Sequence, residues 1–560
     1  MAFKFLGAGV VGSLFLSHVS CGDEAKPREP VRVQVLAIND FHGNLEAPSG
    51  SNGRITVPST TTDGGVGTVD VNAGGATYLA HHISKLREEN PNTVVVSAGD
   101  LIGASPLVSG IFHDEPTIEL MNLIGLDING VGNHEFDDGQ AELLRMQNGG
   151  CHADGCQGAT TFTGAKFKFL SANVFKNVAT KETLLPPYEI KEFEGVKVAF
   201  IGMTLEGTSK IVNPAGIGGL TFQDEADTVN ALVPDLKAQG VEAIVVVLHE
   251  GGMPTGAYDA CPGISGPIVE LTERFDDAVD VVVSGHTHQA YNCVIDGKRV
   301  TSAASHGRLV TDIDLVLDPT TRDVVEATAR NVIVTRDTAT PQVDTFVSDY
   351  VSRAAPLANR VIGNTPVELK LPPRPLPPGQ GGDYSMGRVV ADAMLAATSG
   401  PQVGNAVIAL QNPGGVRADI NVGDITYSEV FTVQPFANNM VTMTLTGAQI
   451  ERVLEQQFRG TTRLVMQVSE GFTYAWSESA PVGQKIDPAS ITLHGTPIRP
   501  DAEYRVTVNN FMASGGDDYL VFTEGKDLLT GDVDTNVLEA YLRSHNPLTP
   551  PAQGRITVLP

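Results

Sequence analysis

Five short runs of valine, isoleucine and other aliphatic residues constrain this chain more than any other feature: VRVQVLAI (31–38), TVVVSA (93–98), VKVAFIG (196–202), VEAIVVVL (241–248) and VDVVVSG (279–285). Each is bounded like a strand and nearly continuously apolar, the pattern of a strand buried on both faces. Stretches of helical pattern separate them, which predicts an α/β layered domain over residues 31–340. A Gly/Thr-rich segment, Ala47 to Gly75, reads as a loop, and a helix follows near Ala76 to Glu89. Residues 341–360 read as a connector helix, after which LPPRPLPPGQGGD forbids regular structure. Residues 361–560 combine a helix near Met386 to Ala397 with many short strands, a second domain of α+β type. At 560 residues the chain exceeds what one core serves, and length alone allows two to four domains.

The first residues read as an export signal. Lys4 supplies positive charge, and FLGAGVVGSLFL (5–16) is apolar but too short to span a bilayer. Cys21 follows, then a charged spacer. Residues 1–21 therefore read as a signal peptide, either of lipoprotein type with a lipid anchor at Cys21 or cut nearby to release the chain. Cys151 and Cys156 flank a Gly-containing loop that a small disulfide would close, and Cys261 would then pair with Cys293. A cysteine metal cluster fits less well, because the spacings are unlike CxxC. The net charge of -27, with no basic stripe, argues against a nucleic-acid polymer as partner. A small anionic substrate fits if metal ions or local arginines reverse the field inside the site.

The chemistry-bearing residues sit at strand ends. The run 31–38 leads into Asn39-Asp40-Phe41-His42, and 93–98 into Gly99-Asp100. The run 241–248 ends at His249, and 279–285 at His286-Thr287-His288. A further loop reads Gly132-Asn133-His134-Glu135-Phe136-Asp137. Taken singly, each has a plain reading: a turn for Asp-x-His, a helix-capping Asn for Gly-Asn-His-Glu, a packed or exposed ring for a lone histidine such as His113, His152 or His306. Together they converge, because ligands at the carboxyl ends of neighbouring strands face one crevice. Mixed His, Asp and Asn donors suit Zn, Mn, Co or Fe better than Ca.

D-x-H, G-D, G-N-H-E, a strand-end His and G-H-x-H, in that order, resemble the calcineurin-like metallophosphoesterases, and more closely the bacterial 5'-nucleotidase family. The resemblance covers nearly the whole chain after residue 30. It implies an N-terminal four-layer αββα sandwich with a second, substrate-binding α+β domain at 361–560. It implies two divalent metal ions, one held by Asp40, His42, Asp100 and His288, the other by Asp100, Asn133, His249 and His286. It also implies that His134 faces the phosphate and that Asp137 holds its ring charged, although Asp137 reads equally as a helix cap. The implied reaction is release of phosphate from nucleoside 5'-monophosphates by a metal-activated water, at an exported site.

In the second domain the family's substrate motifs match QNPGGVR (411–417), QPF (434–436) and NFMASGGD (510–517). The resemblance implies that Phe436 and Phe511 sandwich the base, Asn412 contacts it, and Asp517 holds the ribose, with Gly415 and Arg417 completing the site. Stacking suits any base, since each has a π-face. One departure stands out: Gln380 to Tyr384 replaces a stretch where the family carries an arginine, leaving Arg388 or Arg374 to reach the phosphate. Closure by rotation about the connector at 343–360 is the expected gating step. The same site also fits a 2',3'-cyclic nucleotide, a nucleotide sugar or a carrier-bound sulfur ester, the last disfavoured by the aromatic pair. A non-catalytic surface binding protein is the reading from another class, and it predicts broken ligand sets where these are intact.

Overall fold

The computed structural model describes residues 28–559 apart from 61–65, 154, 157–160, 213–215, 372–375, 377, 437 and 460–461. The signal segment, Cys21 and Arg374 lie outside the described residues. Among the described residues no helix is long and apolar enough to cross a membrane.

The apolar runs form two six-stranded sheets. In one, the order is Val324–Ile333, Leu309–Leu317, Val31–Ile38, Thr93–Ser97, Ile128–Gly130, Lys168–Leu170, with the last four parallel. In the other it is Ala290–Ile295, Lys298–Ala303, Val281–Ser284, Ala243–His249, Val196–Thr204, Tyr188–Phe193, with the middle four parallel. Side chains alternate along each strand, so each sheet buries two faces. Val33, Val35, Val94 and Val96 meet Val198, Val245, Val247 and Val283 between the sheets. Leu36, Ile38 and Val95 pack outward with the helices Ala76–Arg87 and Glu115–Ile124. Ile244, Val246 and Leu248 do the same with Glu225–Ala238 and Pro267–Arg274. The result is a helix–sheet–sheet–helix sandwich, and double-sided burial is why these strands are apolar throughout.

The segment 47–75 contains more structure than its composition suggests. Arg54–Thr60 and Val66–Asn72 pair as an antiparallel ribbon, because alternating Ile55, Val57, Val69 and Val71 outweigh the glycines and Pro58. Disulfides join Cys151 to Cys156 and Cys261 to Cys293.

The helix Pro341–Ala358 is fastened to the sandwich. Val343, Tyr350 and Ala354 enter its core, and the Tyr350 hydroxyl donates to Glu119 at 2.9 Å. After it, the second domain centres on a sheet ordered Gln467–Val468, Ile408–Gln411, Glu503–Asn509, Asn439–Thr446, Lys526–Val533. The helix Ser385–Thr398 covers one face. The helix Tyr427–Val433 reaches back to the sandwich, packing on Leu107–Gly110 and on Pro341–Ala358. A Cβ on Gly110 would lie 2.9 Å from the Phe431 ring, so the domains touch closely enough that a larger residue would displace that ring.

Candidate metal and substrate site

The two sheets deliver their strand ends to one place. Asp40, His42, Asp100, His286 and His288 all have positive φ, between 48° and 69°. That conformation is costly for a side-chain-bearing residue and persists only where neighbours hold it. Backbone bonds do so here: Asp40 N–H to Gly99 O at 3.0 Å and His42 N–H to Asp100 O at 2.9 Å. The side chain of Asn39 bridges Asp40, the Ala304 carbonyl and the Ala303 N–H. A Cβ on Gly132 would collide with the Asp100 carboxylate, so glycine is required there too.

The donor atoms fall into overlapping groups. Asp40, His42 and His288 form one, Asp100, His249 and His286 another, and Asp100 also lies with His42 and His134. His42 Nε2 stands 3.1 Å from His288 Nε2 and 3.6 Å from Asp100 Oδ2. His286 Nδ1 meets Asn133 Oδ1 at 3.0 Å. Tautomers are set from behind: His42 Nδ1 donates to Gly103 O and His249 Nδ1 to Ala98 O, turning both Nε2 atoms inward. His249 Nε2 is fully buried and lies 3.0 Å from Asp100 Oδ2, yet lacks hydrogen-bond geometry. A buried nitrogen left without a partner is costly. Lone pairs and carboxylates aimed at common points fit divalent cations, so the residues present suit the implied ions.

The electrostatics separate the histidines. Burial pushes His42 well below its usual range and His286 down to about 4. Burial would lower His249 as well, but the neighbouring Asp100 and Asp40 lift it to about 10, so a cation held at Nε2 would displace a proton from it. His134 is raised against its burial by Asp137 and Asp100. Burial alone would raise Asp100, but His249, His134 and His42 hold it well below the usual carboxylate range.

His134 donates from Nδ1 to Asp137 Oδ2 at 2.7 Å, and its backbone N–H donates to Asp100 Oδ1 at 2.9 Å. The next helix, Gln140–Asn148, has Gly139 at its N-cap, so Asp137 is not that helix's cap.

A cavity of about 440 Å³ spans the two domains, lined by Asn133, His134, Asp137 and His286 from one and by Asn412, Gly415, Arg417, Phe436, Phe511 and Asp517 from the other. The Phe436 ring stacks beside His134 at 5.8 Å, and the Arg417 guanidinium lies 5.5 Å from its centroid. Asn412 Nδ2 donates to Asp517 Oδ2 at 2.8 Å.

Arg388 is a correction. It does not line this cavity: its side chain is 3% exposed, paired with Asp383, and Nε donates to Pro551 O. Its place just inside the helix Ser385–Thr398 turns it into the domain, where a carboxylate and a carbonyl satisfy the guanidinium. The sequence reading gave no role to Glu135, and it read His306 as a packed or exposed ring. Glu135 is buried and accepts from the backbone N–H groups of Asp100, Leu101 and Gly132 at 3.0, 2.9 and 2.6 Å, fastening two ligand loops. Its position inside the Gly-Asn-His-Glu motif was the available signal. His306 lies with its ring 5.6 Å from His288, and its backbone N–H donates to Asp40 O. His113 and His152 stack on each other at 3.7 Å.

Comparison with known proteins matches both domains in order. The model of the calcineurin-like phosphoesterases matches residues 33–290, and that of the 5'-nucleotidase C-terminal domain matches 361–524. Endonuclease YhcR of Bacillus subtilis (strain 168) is 34% identical over 541 residues, covering 95% of this chain and 41% of that protein. Cell wall protein Lmo0130 of Listeria monocytogenes is 30% identical over 548 residues, covering 92% of this chain and 67% of its own length. The chain belongs to the 5'-nucleotidase family of calcineurin-like phosphoesterases. Membership makes it a metal-dependent phosphoester hydrolase. The crystal structure of the 5'-nucleotidase precursor from Thermus thermophilus superimposes with a TM-score of 0.75 at 26% identity, covering 94% of this chain and 99% of that one. The chain spans less than half the length of the endonuclease it matches.

Proposed function

We propose that this 5'-nucleotidase family member is an exported two-metal phosphohydrolase that releases phosphate from nucleoside 5'-monophosphates. The observation that carries the reading is the single cavity bordered both by the His/Asp/Asn cluster and by Phe436, Phe511 and Asp517. Division of labour follows, with residues 31–340 for the chemistry, 341–360 as connector and 361–560 for recognition. Asp40, His42, Asp100 and His288 would hold one ion, and Asp100, Asn133, His249 and His286 the other. Bound there, the ions would set positive charge against the phosphoryl oxygens and lower the pKa of an attacking water. His134, kept charged by Asp137, donates toward the phosphoryl group as negative charge grows on it. Arg417 offers a planar fork of donors to the same group. Phe436 and Phe511 take the faces of the base, Asn412 its edge and Asp517 the ribose hydroxyls, while Gly415 lets the backbone approach. The two disulfides support an oxidising compartment and hence export.

The test is product release from AMP, a 2',3'-cyclic nucleotide and a UDP-sugar, after chelation and again with Mn, Zn, Co or Fe restored. Metal-dependent release of phosphate from AMP, abolished by His134→Ala, is the expected result, and the ratio among substrates fixes the preferred ester. Release from none of the three by metal-loaded protein would sink the reading.

A further inference from the structure

The cavity that receives the substrate is not walled by aromatic and polar groups of the C-terminal domain alone. Ile211 and Val212, from the metal-bearing domain, line it together with Phe436, Asn510 and Phe511. They close the short helix Thr208–Ile211, which packs against the turn Gly516–Asp518 carrying Asp517. Val212 is 3% exposed within the core of the sandwich, and Ile211 packs partly against that core, so it is a firm apolar surface. Nearby, the N–H of Gln140, three residues beyond Asp137, donates to Gly216 O at 2.9 Å. Across the cavity lining, Asn510 Oδ1 is buried with no hydrogen-bond partner. A ligand N–H is the group that such an oxygen lacks, and every nucleobase carries a polar edge beside an apolar face.

We infer that Ile211 is a specificity-determining residue for the nucleobase, contributed by the domain that carries the metal ligands. The inference rests on the nucleotide reading above. A base lying among Phe436, Phe511 and Ile211 excludes water from all three, whereas a sugar phosphate leaves Ile211 facing solvent and Asn510 unpaired. Preference for a nucleotide over its base-free counterpart therefore arises in part from the catalytic domain. Because Ile211 and the two phenylalanines belong to different domains, a bound base also joins them, favouring the arrangement in which Arg417 stands near His134.

The experiment compares wild type, Ile211→Ala and Ile211→Val by kcat/KM for AMP and for ribose 5-phosphate, with inhibition constants for adenosine and for inorganic phosphate. The AMP to ribose 5-phosphate ratio should fall about 5- to 20-fold in Ile211→Ala and less in Ile211→Val, as expected for lost apolar contact. The adenosine inhibition constant should rise by a similar factor, and that for phosphate should not follow it. A wild-type ratio in both variants, with adenosine inhibition unmoved, overturns the inference while leaving the nucleotidase reading intact. Wild-type protein that releases no phosphate from AMP, or does not distinguish it from ribose 5-phosphate, overturns the nucleotide reading, and the inference falls with it. Circular dichroism checks folding, and Ile211→Val carries the comparison if the alanine variant is unfolded.

Discussion

Replacing Asp137 by asparagine tests the proposed catalytic role of the His134–Asp137 pair directly. The side chains of His134 and Asp137 are 14% and 22% exposed, and their contact is 2.7 Å, so solvent screens the pair only partly. Asparagine keeps the shape and an oxygen that accepts from Nδ1–H, but removes the charge that raises His134. A hydrogen bond to a charged partner contributes about 1.5–3 kcal/mol, which corresponds to a fall in kcat of about 10- to 150-fold. KM for AMP should move by less than about 3-fold, because the pair acts as the transition state forms and not on ground-state binding. The assay is steady-state phosphate release at saturating metal, run in a wild-type and in a His134→Ala background. If Asp137 works through His134, its substitution costs little once the histidine is gone. An equal penalty in both backgrounds, or a kcat close to wild type, would refute the assignment.

Three further outcomes follow from buried groups. Arg388→Met should leave KM for AMP near wild type and destabilise the protein by about 1–3 kcal/mol in denaturant titrations, since Asp383 loses its cation but keeps the N–H groups of Gly554 and Arg555; a raised KM with unchanged stability would return Arg388 to the substrate site. Cys261→Ala/Cys293→Ala opens a crosslink with a sequence separation of 32, and loop entropy puts the loss at about 4 kcal/mol, read as a lower unfolding midpoint absent under reducing conditions. Burial lifts Asp280 from 3.8 to about 7, so the folded state binds the extra proton, and stability falls as pH rises from the unfolded value through the folded one. Asp280→Asn keeps the acceptor for Ile244 N–H, so its advantage over wild type should widen between about pH 5 and pH 8 by at most about 3 kcal/mol; parallel stability curves would contradict this.

The legible part of the site was the part written at strand ends. Asp40, Asp100, His249 and His286 follow apolar runs whose parallel pairing fixes where they converge, so local pattern carried long-range information. Arg388 was not legible, because its fate depends on Pro551, 163 residues away, and on a helix turned inward. The ribbon Arg54–Thr60 with Val66–Asn72 was hidden by glycine and threonine content, although its alternation was present. Ile211 carried no signal of its own. An isoleucine after a short helix reads as core, and only the meeting of two domains gives it a face toward a ligand.

That meeting point explains how one chain reconciles rigidity with recognition. Five of the proposed metal ligands, Asp40, His42, Asp100, His286 and His288, occupy left-handed backbone, each at a cost of about 1–3 kcal/mol, and Glu135, Asn39 and backbone N–H bonds brace their loops from several sides. Loops so braced cannot also adapt to a variable base. The proposed base contacts instead lie on Phe436 and Phe511, in a domain joined through a helix that is itself fastened to the sandwich by Val343, Tyr350 and Ala354. Because that helix packs on the sandwich, we expect a rotation between domains to concentrate at its far end, near Asn359 and Arg360. A rotation there would carry Arg417 and Phe436 together toward or away from His134, without disturbing the strained ligand loops.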